Sequence, residues 1–310
     1  MIAVLCGGVG AARMLVALTL VSPPEELVAI VNTGDDLELH GLSISPDLDT
    51  VTYTLAGAVN AETGWGLSGE TFAALSALER YRVPTWFGLG DRDIATHLYR
   101  SARRSEGATL SEVTDEIRRA WDVEVRLLPM SDDPVRTRVT LASNDEIGFQ
   151  EYFVKLHHDV EVNAIHFLGA DTAIAAPGVL DSLLGAEVIV IAPSNPIVSI
   201  GPILAVGGVS DALRARRDSV VAVSPIVGGR ALKGPADRLM ASLGLDPSAI
   251  GVARLFAPIA SSMVIDDVDA GSRAAIESLG YRVAVCDTIM RDPTTSAKLA
   301  QVVLATGAGG

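Results

Sequence analysis

Residues 2–13, IAVLCGGVGAAR, decide how the rest of the chain is read. An apolar run ends at Cys6, three glycines follow within four positions (Gly7, Gly8 and Gly10), and Arg13 closes the stretch. From Gly8 the spacing is G-x-G-x-x, with Arg13 where a dinucleotide-binding loop carries its third glycine. No G-K-[ST] follows, so the stretch is not a P-loop either. AARMLVALTL directly behind it reads as a helix, which puts backbone amides and the positive end of a helix at the end of a strand. The glycines could serve close helix–strand packing alone. Phosphate binding is the preferred reading, because Arg13 adds a fixed positive charge that a dinucleotide fold does not need.

The same event recurs along the chain. LVAIV runs into NTGDD, AEVIVIA into PSNP, SVVAVS into PIVGG, and YRVAVC into DTIMRD. Short apolar runs rich in β-branched residues, alternating with helical segments, predict an α/β fold with a doubly wound, mostly parallel, Rossmann-like sheet. Ligands of such sheets sit beyond the carboxyl ends of the strands, so these polar ends predict one shared cleft. Residues 1–50 and 165–310 form the expected nucleotide-binding core. Residues 51–164 read as a mainly helical insertion with a small antiparallel element, a lid over the acceptor site. Within it, SGETFAALSALERY and DRDIATHLYRSARR have helical spacing, and Thr109 and Glu112 stand in capping-box register. The stretches DVEVRLLPMSDDPVRTRVTL and GFQEYFVKLHHDVEVNAIHFL read as strands, and the terminal TGAGG as frayed.

Composition narrows the function. Of the 310 residues 49% are apolar and only 5% aromatic, which suits buried parallel strands under helices. A formal net charge of −14 argues against nucleic acid or an anionic membrane surface as partner. An anionic small molecule would therefore need its own local positive site. The N-terminal apolar run is too short for a secretion signal and no run approaches a membrane span, so a cytoplasmic protein is expected. Cys6 and Cys286 sit in strand-like runs and read as small buried hydrophobes.

Acids cluster after the second strand. NTGDD supplies Asp35 and Asp36, and SPDLDT supplies Asp47 and Asp49. Singly each is turn or cap chemistry, and Asp49 could N-cap a helix starting at Thr50. Together, beside a phosphate loop, they resemble the carboxylate set that holds a magnesium ion against phosphates. Arg92 in WFGLGDRDIATH stands at a helix start, where a cation is unfavourable, and this points to a ligand contact. Ser194 and Asn195 offer donors and acceptors for a base or sugar edge, with an Asn-Pro turn as the plain alternative. Arg230 and Lys233 are cations near a later strand end, suited to clamping a second phosphate. The five histidines show no metal spacing and read as surface or core residues. No nucleophile–base pair stands out, which suits direct transfer onto a bound acceptor.

These motifs occur in order from residue 7 to residue 292: GGVGAAR, VNTGDD, SPDLDTVTYTLAG, WFGLGDRDIATHLYR, LLPMSDD, FQEYFV, APSNPIVSIGPILAV, SPIVGGRALKGPA and CDTIMRD. In this the chain resembles the 2-phospho-L-lactate transferase family, whose actinobacterial members are phosphoenolpyruvate transferases of coenzyme F-420 biosynthesis. The resemblance implies transfer of a phosphoenolpyruvyl or 2-phospho-L-lactyl group from a guanosine-diphospho-activated donor to the deazaflavin Fo, with loss of GMP and a need for Mg2+. It implies Asp35 and Asp49 as metal and catalytic carboxylates, and Asp49 with Arg92 as Fo contacts. Gly8, Gly10, Ala11, Arg13, Ser194 and Asn195 would take the guanine nucleotide; Lys233 joins them on charge grounds. Relatives are homodimers. Ala11 stands where relatives usually carry glycine, and Ser45 where a Cys is frequent. A non-catalytic nucleotide-sugar sensor of the related gluconeogenesis-factor family is the rival reading, weakened by the complete PDLDT and GDRDIATH blocks. A nicotinamide-dependent dehydrogenase is weakened by the missing third glycine.

Overall fold

The computed structural model describes residues 1–309. Its chain opens with β1 (Ile2–Cys6), α1 (Gly8–Thr19) and β2 (Leu27–Val31). The hairpin of β3 (Leu37–Leu39) and β4 (Leu42–Ile44) leads into α2 (Pro46–Leu55), α3 (Ala73–Leu78), α4 (Asp93–Ser105) and α5 (Leu110–Ala120). Then come β5 (Arg126–Pro129), β6 (Arg136–Leu141), β7 (Glu146–Gly148) and β8 (Val162–Leu168). The second half runs α6 (Val179–Gly185), β9 (Val188–Ile191), α7 (Gly201–Ala205), α8 (Val209–Ala215) and β10 (Val220–Val223). It continues with the hairpin β11 (Ile226–Val227) and β12 (Arg230–Ala231), α9 (Ala236–Ser242) and α10 (Ala249–Phe256). It closes with β13 (Ser262–Ile265), α11 (Arg273–Glu277), β14 (Arg282–Val285) and α12 (Pro293–Ala308).

Seven strands form one parallel sheet in the order β14-β13-β10-β9-β1-β2-β5. The chain winds outward from β1 through β2 to β5, then returns to the other side of β1 and winds outward again from β9 to β14. This is the predicted doubly wound sheet, and its direction reverses between β1 and β9. Strand alternation divides the core in two. Ala3, Leu5, Val28, Ile30, Ile189 and Ile191 face α6 to α11, while Val4, Cys6, Ala29, Val31 and Val190 face α1, α2, α5 and α12. Each fully buried Val or Leu contributes about 1.5–3 kcal/mol, so both layers are held mainly by this burial. A smaller antiparallel sheet, β7-β6-β8, covers a satellite core of Val139, Phe149, Tyr152, Val162, Val198 and Leu239.

Several local expectations are corrected. β5, from the segment read as insertion strands, is an edge of the parallel sheet, with Leu127 and Leu128 beside Ala29 and Ile30. β13 joins the sheet between β10 and β14 although its apolar run is only Met263, Val264 and Ile265. EYFVK, read as strand, is a π-helical turn (Glu151–Lys155) that turns Tyr152 into the satellite core. The end is not frayed through Gly307: α12 runs to Ala308, and a Cβ at Gly307 would stand 2.5 Å from Val188 Cγ1. No helix among the described residues is long and apolar enough to cross a membrane.

Candidate functional site

The reversal between β1 and β9 brings two loops together. α1 starts within the glycine stretch itself, with Gly7 as its N-cap and Gly8 at φ +72°. After β9, Pro193 lies against Gly10, where a Cβ would meet the Pro193 carbonyl oxygen at 2.2 Å. Gly10 is therefore a packing glycine as well as part of the loop. The Gly8 amide is already used, donating to Asp47 Oδ1 at 2.8 Å. Asp47 Oδ2 accepts from Asn32 Nδ2 at 2.9 Å, so one buried carboxylate ties the ends of β1 and β2 together. The next amides of α1 have no partner within the helix, as in the first turn of any helix. Ala11 is fully buried and packs its side chain into the core.

Asn195 Oδ1 accepts from the amides of Ile197 and Val198 and caps the π-helical turn Pro196–Ile200. Its Nδ2 and the Ser194 hydroxyl are buried with no hydrogen-bond partner among the described residues. Buried polar groups are normally satisfied, so two orphans in the loop that packs on Gly10 stand out. The Asn-Pro turn reading is thus seen at the Oδ1 end of the Asn195 amide, while its Nδ2 end is left free of protein partners among the described residues.

Cations meet at the same mouth. Arg13 and Lys233 are exposed neighbours; partial burial and then Arg13 lower the Lys233 ammonium below its ordinary value. Lys233 Nζ donates to the Thr63 carbonyl at 2.9 Å, and a Cβ at Gly64 would meet Val9 Cγ1 at 2.8 Å. The loop after α2 therefore rests on the start of α1. Arg230 is exposed on the β11–β12 hairpin.

The acids form one cluster with two centres. Burial, then Asp47, then Asp36 push the Asp35 carboxyl well above the usual range, with Thr137 and Asn32 pulling the other way. Asp35 Oδ1 is buried without a hydrogen-bond partner among the described residues. Burial takes Asp36 to about 7, although Arg136, the Ser45 hydroxyl and Arg100 favour its charge, and takes Asp47 to about 6. Ser45, where relatives often carry Cys, donates to Asp36 Oδ2 at 2.8 Å. A cavity of about 160 Å3 lined by Thr33, Asp36, Ser43, Arg104 and Arg136 opens beside this cluster.

Asp49 belongs to the second centre. It does not cap a helix from Thr50; α2 starts at Pro46, and Asp49 sits in its first turn. Its carboxylate receives both terminal nitrogens of Arg100, a side chain only 2% exposed. His97 Nδ1 lies 3.6 Å from Asp49 Oδ2, and His97 Nε2 lies 3.2 Å from Asp93 Oδ2. Tyr53 Oη donates to Asp93 Oδ1 at 2.6 Å. Burial acts to raise the Asp93 carboxyl, but His97, Tyr53 and Arg100 outweigh it and hold it below the usual range. Asp35 and Asp49 are thus not each other's nearest partners: Asp35 faces Asp47 and Asp36, while Asp49 faces Arg100 and His97.

Asn32 and Arg100 were missed by sequence reasoning, His97 was read only as a surface or core residue, and Asp47 was read as one of the clustered acids without its tie to Gly8 and Asn32. His97 and Arg100 follow Asp93 at i+4 and i+7, a helical-face signal that could have found them. Arg92 is exposed, and its guanidinium donates to the Ser68 carbonyl at 2.7 Å. The helix start it occupies is compensated by Glu70, which accepts from the amides of Arg92 and Asp93 at 2.7 and 2.9 Å. Trp86 and Phe87 are half-buried and pack edge to face. No thiol is poised as a nucleophile: burial, then Asp47, raises Cys6, and burial followed by Asp267 and Asp266 takes Cys286 to about 11.

Comparison with known proteins agrees with this architecture. Residues 2–292 match the family model described as 2-phospho-L-lactate transferase CofD. A protein named phosphoenolpyruvate transferase from Kitasatospora aureofaciens is 44% identical over 98% of this chain and 97% of its own length. One of the same name from Streptomyces griseus subsp. griseus is 46% identical with the same coverage. Among solved structures, protein BH3568 of Bacillus halodurans superposes with a TM-score of 0.65 over 98% of both chains at 16% identity, a likeness of fold.

Proposed function

Because the chain belongs to the 2-phospho-L-lactate transferase family and is a transferase, we propose that it moves a phosphoenolpyruvyl group from a guanosine-diphospho-activated donor to the deazaflavin Fo. The products are GMP and dehydro coenzyme F-420-0; a 2-phospho-L-lactyl donor would give F-420-0. The observation that carries this reading is the meeting of the β1 and β9 loops at the reversal of the sheet, with two orphaned polar side chains and the Arg13–Lys233 pair beside the start of α1. A diphosphate suits that mouth, since helix amides and two cations give an acidic protein a local positive site. The Ser194 hydroxyl and the Asn195 amide are spare hydrogen-bonding groups for the guanosine.

The acidic residues fit a divalent cation. A buried carboxyl with an orphaned oxygen and a raised protonation range, as at Asp35, gains from a cation more than from any group now beside it. Asp35 and Asp49 would hold Mg2+. When bound, the ion neutralises charge on the diphosphate and on the leaving GMP. Asp49 and Arg92 would orient Fo so that its terminal ribityl hydroxyl attacks the phosphorus that carries the enolpyruvyl group. As that P–O bond forms, the P–O bond to GMP breaks, and the hydroxyl proton passes to a nearby carboxylate. In the cell the partners are these small molecules and a second copy of the chain, in the cytoplasm.

The test is product mass after incubating the protein with Fo, Mg2+ and each activated donor in turn; the enolpyruvyl product is two hydrogens lighter. Asp49→Asn should lower turnover on the order of 100-fold while circular dichroism stays unchanged. Full activity in that variant removes Asp49 from the site. Fo absorbance and fluorescence untouched on titration would instead favour a sensor that does not handle Fo.

A further inference from the structure

Asp49, Asp93 and His97 each offer one ligand atom, and the three atoms lie within 4.8 Å of one another, an arrangement that suits a cation. The cation found against it is a guanidinium. Arg100 reaches from α4 back to α2, 51 residues earlier, and its Nη1 donates to Asp49 Oδ2 at 3.1 Å and to the Ser43 carbonyl at 3.3 Å. Its Nη2 bonds the other Asp49 oxygen. Nη1 also lies 3.3 Å from His97 Nδ1. A guanidinium can only donate, so His97 Nδ1 is placed to accept from it, and the other ring nitrogen, Nε2, faces Asp93. Tyr53 holds the far side of Asp93. The chain of contacts from Tyr53 through Asp93, His97 and Arg100 ends on Asp49.

As a stabilising device this is poor. Burying a guanidinium and a carboxylate together gains little over apolar side chains of the same volume, and Arg100 Nε is left buried without a partner among the described residues. The geometry does supply orientation. Two parallel N–H···O bonds fix the plane of a carboxylate, and a forked guanidinium does this where an ammonium cannot. With its inner lone pairs taken by Arg100, Asp49 keeps only its outer lone pairs for a ligand.

We infer that Arg100 is a positioning residue, which holds Asp49 in one orientation through a two-pronged ion pair and is itself fixed by His97 and Asp93. This rests on the role proposed for Asp49. It implies that Asp49 meets Mg2+ and acceptor with a preset orientation, and that its hold on the ion depends on the fork rather than on charge alone.

Three variants of the full chain test it: Arg100→Lys, Arg100→Ala and Asp49→Asn. Arg100→Lys keeps the charge and loses the fork. It should fold with a melting temperature close to that of the unmodified protein, yet lose roughly 10- to 100-fold in kcat and need more Mg2+. Calorimetric titration of Mg2+ into the protein without substrates should show a matching loss of affinity. Arg100→Ala should regain part of its activity when guanidinium chloride is added below denaturing concentrations, whereas Arg100→Lys and the unmodified protein gain nothing. The inference is overturned if Arg100→Lys keeps its kcat and Mg2+ affinity. It is equally overturned if activity in both Arg100 variants tracks the folded fraction without guanidinium rescue, or if neither variant folds, since Arg100 is then a structural clamp. An Asp49→Asn variant with full activity instead removes the reading of Asp49, whatever Arg100 does.

Discussion

Gly10 shows how far a single residue can be read. Its place in G-x-G-x-x predicts a loop at a strand end, and the loop is there. The closeness of Pro193 is invisible in sequence, because 183 residues separate the two and only the return of the chain to β9 makes them neighbours. Gly10→Ala should cost about 1–3 kcal/mol of stability, since backbone rather than a flexible side chain blocks the added methyl. Chemical denaturation measures this, and a loss under half a kcal/mol would mean that the two loops separate easily. Asp49 was legible in the sequence as one of four acids gathered in NTGDD and SPDLDT. Arg100 was not, because nothing in a helix sequence says which of three arginines near its end turns inward; Arg103 and Arg104 lie beside it and stay half-buried or at the surface.

At the scale of elements, local signals were readable and crossed ones were not. The Thr109–Glu112 capping box spans three residues, and the structure has both of its hydrogen bonds. The caps of α3 and α4 are exchanged between distant segments. Glu70 precedes α3 and caps α4, while Asp91 precedes α4 and accepts from the amides of Ala73 and Ala74 at the start of α3, at 3.0 and 2.9 Å. Gly90 fits this exchange, since a Cβ there would overlap the Glu70 side chain. α3 has no buried residue, so it depends on this cap. Asp91→Ala should therefore speed amide hydrogen exchange across residues 73–78 several-fold and leave the global melting temperature nearly unchanged. Exchange rates equal to the unmodified protein's would mean that contacts other than Asp91 order α3. β5 and β13 escaped as sheet strands for another reason: each has only two or three consecutive apolar residues, and partners rather than propensity make them strands.

For the whole molecule, alternation of apolar strands with helices was enough to foresee a doubly wound sheet; of the polar strand ends expected to share one cleft, those of β1 and β9 lie in contact. Which two strands flank the reversal was not foreseeable, since strand order is set by tertiary pairing. The chain is packed unevenly. Residues 68–87 contain no buried side chain, and Phe72 and Tyr81 are 48% and 75% exposed. Limited proteolysis should cut first within this segment, and Fo with donor should slow the cut, because the segment begins at the Ser68 carbonyl that Arg92 holds. First cleavage in the β6–β8 sheet would contradict this. β1 lies in the middle of the sheet, with Ile2 beside Leu27 on one side and beside Val188 on the other. During synthesis its second neighbour emerges from the ribosome only after more than half of the chain. Until then a nascent chain holds a three-stranded ribbon with a bare apolar flank, which gives chaperones a long time window to bind it.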